Sequence, residues 1–234
     1  MKTVFVGDSL TSGLPGVSYW KHLKDKTNLI NKGIGGDTLF GVTKRINRML
    51  SNHKYDDIEK YIIEVGANDI LVPILEEHSK YWDKFVDLKK EVLNCIPTNN
   101  INKFEEQYEE LIRLLKSHNK KIGIIGLPIV ENDDLGIDEK FKEYNIIVKK
   151  LAKKHNISYV DLRKMEEELK TKKGNLYVWG KTNMGLMLDT VKTSVLPFSM
   201  QISQKRELEV TVDSIHLNEL AAKKLAELIE DSLL

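Results

Sequence analysis

The sequence predicts an α/β fold, a three-layer α/β/α sandwich with a central parallel sheet. Two observations predict it. Short apolar runs rich in β-branched residues alternate with stretches of helical period, and each of the first three runs ends in glycine beside polar residues. Strands alternating with helices imply parallel strands joined by crossovers, with helices on both faces of one sheet. Ligands of such sheets bind outside the carboxyl ends of the strands.

The first run is Thr3 to Val6, continuous in the way of a strand buried on both faces. It ends in Gly7-Asp8-Ser9, and Leu10-Thr11-Ser12-Gly13 turns into a predicted helix with apolar positions Val17, Trp20 and Leu23. Leu29-Ile30 is the second strand, closed by Gly33 to Asp37, and Leu39, Val42, Ile46 and Met49 mark a helix after Thr38. The third strand, Tyr61 to Val65, is followed by Gly66-Ala67-Asn68-Asp69. Trp82, Phe85, Leu88 and Val92 fit an extra helix, stopped by Pro97-Thr98-Asn99-Asn100 before another that starts near Asn102. That next helix carries Phe104, Tyr108, Leu111, Ile112 and Leu115 on one face. Ile122 to Leu127 and Ile157 to Val160 are the last strands, separated by a helix through Phe141, Tyr144, Val148 and Leu151. Leu217, Ala221, Leu225 and Leu228 form the final helical face.

The expected organisation is a single domain over residues 1–234 with insertions near 71–100 and 172–210. In the second insertion Gly174, Gly180 and Gly185 punctuate an apolar run that includes Met184, Met187, Val195 and Phe198. It reads as a lid or wall for an acyl chain, as an extension of the core or as a dimer contact. The oligomeric state is left open by the sequence.

A chain of 234 residues builds one sizeable core, and 41% hydrophobic with 30% charged residues is a globular composition. Lys+Arg number 36 against 35 Asp+Glu, so no global field attracts a polyanion and no nucleic-acid partner is expected. The N-terminal run turns polar at Asp8-Ser9, too early for a secretory signal. No apolar run approaches the ~20 residues that cross a bilayer. The expectation is a cytoplasmic protein without stable membrane insertion. The one cysteine, Cys95, excludes an internal disulfide and reads as a small semi-buried hydrophobe.

His22, His53, His78, His118 and His155 each lie within two residues of a lysine, a surface-like neighbourhood. His216 differs: Ile215 and Leu217 flank it and Asp213 stands three residues before it. A neutral imidazole beside a carboxylate is what a general base needs, because the carboxylate fixes its tautomer and stabilises the imidazolium. The same two residues also read as caps of the last helix, with Asn218 as a further capping candidate. No other His or Cys stands at a metal-ligand spacing, and no metal is expected.

Ser9 follows a strand and precedes a turn, so it either exposes its hydroxyl at the sheet edge or caps a helix. The Gly33-Ile34-Gly35-Gly36-Asp37-Thr38 loop departs from a dinucleotide fingerprint, having Thr at 38 and following the second strand, not the first. What it offers is the unshielded backbone N–H of Gly36, or a plain turn capped by Asp37 or Thr38. Asn68 supplies a neutral amide donor at a strand end, suited to a developing negative charge, or else an Asx-turn. Nucleophile, base with orienting acid, and donors for an oxyanion are together the requirements of acyl transfer.

Gly7-Asp8-Ser9-Leu10, Gly36 in Gly-Gly-Asp-Thr, Gly66-Ala67-Asn68-Asp69 and Asp213-Ser214-Ile215-His216 stand in the order of four blocks of the SGNH hydrolases. The chain therefore resembles that superfamily, the GDSL esterases and lipases, with a flavodoxin-like fold. The resemblance implies Ser9 as nucleophile, His216 as base and Asp213 as its partner. The implied oxyanion donors are the Ser9 and Gly36 backbone N–H groups and the Asn68 side chain. It also implies a small-molecule ester substrate, cleaved through an acyl-enzyme without cofactor. Acyl thioesters, lysophospholipids and a non-catalytic module that binds acylated sugars or peptides remain as alternatives. Two features depart from the family pattern: Leu217 where Pro often stands, and a long stretch between Leu162 and Asp213.

Overall fold

The computed structural model describes residues 1–78, 96–98, 100–133, 136–171 and 188–234. The extra helix expected through Trp82, the semi-buried Cys95 and the glycine and methionine positions at 174–187 lie outside the described residues.

Five strands form the sheet: β1 (Lys2–Gly7), β2 (Leu29–Gly33), β3 (Ile58–Glu64), β4 (Lys121–Ile125) and β5 (Ser158–Val160). All pairings are parallel and the order is β2-β1-β3-β4-β5. The continuous apolar runs have their physical reason here, since both faces are covered. Val4, Val6, Tyr61, Ile63, Ile122 and Ile124 point into one core, and Phe5, Ile62 and Ile125 into the other. The first core is closed by α2 (Leu39–Leu50), α4 (Ile101–Ser117) and α5 (Ile137–Lys154). The second is closed by α6 (Leu162–Leu169) and α8 (Glu219–Leu233). Gly123 faces Leu233 of α8, and a Cβ there would stand 3.2 Å from the leucine, so glycine lets this helix lie close on the sheet.

The chain also forms α1 (Ser9–Ser12), α3 (Ala67–His78) and α7 (Ser199–Lys205). The helix expected through Val17, Trp20 and Leu23 is replaced by the single turn of α1, a loop and a 3₁₀ turn, Tyr19–His22. Gly13 at φ 71° ends α1 in a left-handed cap, and Pro15 with Gly16 at φ 89° keeps the chain from resuming it. Val17 and Leu23 are nonetheless buried in the second core, so their apolar pattern reported burial without helicity. Asn68 also departs from the Asx-turn reading, for it lies in the first turn of α3. His22 and His155 are drawn out of the expected solvated setting by glutamates: His22 Nε2 lies 3.2 Å from Glu219, and His155 Nε2 lies 2.8 Å from Glu109. No described helix is long and apolar enough to cross a membrane.

Candidate active site

The sheet register decides which loops meet. Gly7 at the end of β1 pairs with Gly33 of β2 on one side and Glu64 of β3 on the other. The segments that follow all three strands therefore leave the sheet at one edge. Asp8 caps α1 by accepting the Leu10 N–H at 3.0 Å, which places Ser9 inside the first turn and frees its hydroxyl from the capping role.

The fourth segment comes from the far end of the chain. An isolated antiparallel bridge between Thr211 and Leu217 folds residues 211–217 into a tight loop, with the Val212 N–H donating to the His216 carbonyl at 2.8 Å. The Val17 N–H donates to the Leu217 carbonyl at 2.8 Å and docks this loop beside α1. Ser9 Oγ then lies 2.9 Å from His216 Nε2, across 207 positions of sequence. His216 Nδ1 lies 2.7 Å from Asp213 Oδ2, and Asp213 Oδ1 accepts the His216 and Ile215 N–H groups at 2.8 and 3.2 Å. Burial pushes the Asp213 carboxyl up, but the His216 charge and these donors outweigh it and hold it below the usual carboxylate range. An ionised Asp213 accepts from Nδ1, which leaves the Nε2 lone pair facing the serine hydroxyl. The helix-capping reading passes to Asn218, whose side chain accepts the Ala221 N–H at 3.1 Å.

Asn68 Nδ2 donates to Asp8 Oδ2 at 3.1 Å and to the Asp37 carbonyl at 3.0 Å. One amide thus ties together the segments after β1, β2 and β3. Gly36, at φ 81°, sits in a conformation that favours glycine, and a Cβ on neighbouring Gly35 would stand 4.0 Å from Ser9 Cβ. The glycine turn consequently passes close to the serine. Thr38 caps α2 through the Gly41 N–H. The structure brings Ser9, Asp213, His216, Gly36 and Asn68 to one edge of the sheet.

Several supporting residues escaped the sequence reading. Fully buried Glu131 accepts the backbone N–H groups of Glu209, Val210 and Thr211 at 2.6, 3.2 and 3.0 Å and the Thr211 hydroxyl at 2.7 Å. Its own N–H donates to the Ser214 carbonyl at 2.8 Å, so one residue braces both sides of the segment that carries Asp213. Arg45 holds the glycine loop, donating to Asp37 Oδ2 at 2.7 Å and to the Gly7 carbonyl at 2.9 Å. Asp69 binds the Leu39 N–H at 2.9 Å and the Thr98 N–H at 2.8 Å. Apart from Asp37, eight residues before Arg45, these partners lie 29 or more positions away, and only Asp69, inside the third block, carried any local signal.

The described part of the second insertion adjoins the site. A π-helical turn, Val191–Val195, supplies Thr193 Oγ1 as acceptor for the Gly16 N–H at 2.9 Å. The Ser194 hydroxyl reaches the carbonyls of Gly13 and Gly16 at 3.0 and 2.9 Å. A Cβ at Gly16 would lie 2.9 Å from His216 Cβ, so this anchored loop abuts the imidazole directly.

Comparison with known proteins adds the following. The GDSL-like Lipase/Acylhydrolase family matches residues 5–221. No curated protein sequence matches the chain. Among solved structures, an acetyl xylan esterase is 20% identical, with 100% of both chains covered and a TM-score of 0.60. An acetylxylan esterase from Geobacillus stearothermophilus is 16% identical over 98% of this chain and 92% of its own, with a TM-score of 0.60. An α/β hydrolase enzyme from the metagenome of Lake Arreo, Spain, is 15% identical over 98% and 93%, with a TM-score of 0.58. At these identities the likeness establishes the fold.

Proposed function

The chain belongs to the GDSL-like Lipase/Acylhydrolase family and is a carboxylic ester hydrolase, and we propose that it works through Ser9, His216 and Asp213 on short acyl esters. The observation that carries this reading is the unbroken hydrogen-bonded series from Ser9 Oγ through the imidazole to Asp213. His216 Nε2 takes the Ser9 proton as the oxygen attacks the ester carbonyl, and Asp213 stabilises the imidazolium. The oxyanion is met by the Ser9 and Gly36 backbone N–H groups and by Asn68. Because both Asn68 contacts are to acceptors, Asp8 and the Asp37 carbonyl, the oxyanion shares or displaces one of them. The alcohol leaves with the proton from His216, and water repeats the sequence on the acyl-enzyme.

The preference for a short acyl group is supported by the acetyl xylan esterases among the structural neighbours, matched over nearly their whole length. A longer acyl chain is the second reading. Leu14 is half exposed between the two glycines that Ser194 binds, and Val191 and Val195 stand exposed on the same turn as Ser194. We further propose that the chain is a single domain in which the described residues 188–210 form a wall of the substrate site.

Hydrolysis of nitrophenyl esters from acetate to palmitate tests both readings. Activity concentrated on acetate supports the first, and an optimum at long chains supports the second. Ser9→Ala is expected to remove nearly all activity, and Ser9 is expected to react with a fluorophosphonate. Wild-type rates in Ser9→Ala would refute the mechanism, and an unlabelled, inactive wild-type protein would favour a binding module.

A further inference from the structure

Beneath the nucleophile the fold buries two carboxyl groups that the serine relay does not use. Asp8 is 0% and Glu64 2% exposed, and among the described residues neither forms an ion pair. Glu64 ends β3 beside Gly7 of β1. Its Oε2 accepts the Thr11 hydroxyl at 3.0 Å and the Asp8 N–H at 3.4 Å, which sets the two buried carboxyl-bearing residues side by side. Asp8 in turn accepts the Leu10 N–H on Oδ1 and the Asn68 amide on Oδ2.

Two neighbouring carboxylates buried without a cation repel each other strongly, and one proton held by the pair removes that repulsion. We propose that Asp8 and Glu64 share one proton at neutral pH, and that Glu64 is thereby a positioning residue that acts through Asp8 on Asn68. The inference rests on the reading of Asn68 as an oxyanion donor.

The geometry gives the pair two tasks. It fixes α1 from below at the Asp8 N–H and the Thr11 hydroxyl, and it gives the Asn68 amide nitrogen an anionic acceptor, which orients the NH₂ group. Charge supplies the rest of the argument. With one proton the pair carries a single buried negative charge. Without it, two such charges would stand behind donors that must stabilise a third on the oxyanion, and each would weaken the others' stability in a low-dielectric site. Burial pushes both carboxyls up.

The groups facing the pair are of mixed sign. His216 approaches Asp8 from the loop after Thr211, and Asp69 from α3. The Tyr19 hydroxyl reaches it through Thr11 Oγ1 at 3.2 Å, and Tyr108 faces Glu64 from α4. Arg45, held by Asp37, stops at the Gly7 carbonyl. The guanidinium is thus already paired with Asp37, and the imidazole has its own carboxylate in Asp213.

Two measurements test the proposal. The first is the infrared carbonyl band of protonated carboxyl groups at neutral pH, in wild type and Glu64→Gln. The second is kcat and KM for nitrophenyl acetate from neutral to alkaline pH in the same two proteins and in Asp8→Asn. A glutamine at 64 donates to Asp8 with a hydrogen that does not titrate. The protonated-carboxyl band is therefore expected to weaken in Glu64→Gln, and the alkaline decline of kcat expected in wild type to be absent there while KM moves little. Asp8→Asn weakens the acceptor that orients Asn68 and is expected to lose on the order of 10²-fold in kcat across the range. An unchanged infrared band, or a Glu64→Gln profile that superimposes on wild type, overturns the proposal. Because the infrared reading needs no turnover, it stands apart from the assignment of Ser9, which Ser9→Ala tests alone.

Discussion

At the scale of single residues, the site is distinguished by how few of its polar atoms are left to choose their own orientation. Asp213 spends one oxygen on two backbone N–H groups and the other on the imidazole. Asn68 is held by Asp8 and by the Asp37 carbonyl. Such fixation matters because donors already aimed at a developing charge need no reorganisation in the transition state. Truncating Asn68 to alanine is accordingly expected to lower kcat by about 10²–10³-fold with little change in KM. Steady-state kinetics on nitrophenyl acetate check it, and a loss confined to KM would assign Asn68 to substrate binding. In the sequence these residues stood out as candidates by chemical type (a histidine without lysine neighbours, an amide at a strand end, a serine after a strand), each beside a capping or turn reading, and the resemblance supplied their roles. Glu131 and Arg45 did not stand out, because a carboxylate that binds donors 78 to 80 positions away leaves no local pattern.

At the scale of elements, α2, α3 and the stretch before α4 are joined by one buried carboxyl. Asp69, in the first turn of α3, binds the first N–H of α2 at Leu39 and the N–H of Thr98. Burial raises its pKa to about 7, against roughly 3.9 in an unfolded chain. Between those values the folded protein holds a proton that the unfolded chain has released, so this group's contribution to stability is greatest below about pH 4 and is lost as pH rises through about 7. Three pKa steps correspond to about 4 kcal/mol at most. Asp69→Asn has no such titration but sets an amide NH₂ against a backbone N–H, which costs roughly 1–3 kcal/mol. Wild type is therefore expected to be the more stable protein at pH 5, with the gap shrinking or reversing by pH 8. Urea unfolding at the two pH values measures it, and a gap independent of pH contradicts the assignment. Strand positions were readable in the sequence because a parallel sheet covered on both faces leaves continuous apolar runs. The length of α1 was not, since Val17 and Leu23 are buried by a loop that Gly13 and Gly16 bend back onto the second core. Apolar spacing records which side chains are covered and is silent on the backbone that presents them.

At the scale of the whole molecule, the two ends of the chain meet over the sheet. Ser9 follows the first strand, whereas His216 immediately precedes α8, the helix that closes the second core. That helix packs through Ala221, Ala222, Leu225, Ala226 and Ile229, all buried, against the face that holds Phe5 and Ile62. No local rearrangement of α8 can leave the imidazole in place, since Asn218 both caps the helix and donates its backbone N–H to the Val210 carbonyl inside the His216 loop. Leu225→Ala opens a cavity in this core and is expected to cost 2–5 kcal/mol, roughly, by lost burial and incomplete collapse. The informative measurement is the coincidence of two transitions in urea, ester hydrolysis and far-UV circular dichroism. Both are expected to shift together to lower urea in the variant, because the Ser9–His216 contact exists only while the second core does. If hydrolysis were lost well before the helical signal, the loop from 209 to 217 would be an independently melting unit, and Glu131, not α8, would be what holds the imidazole over the serine.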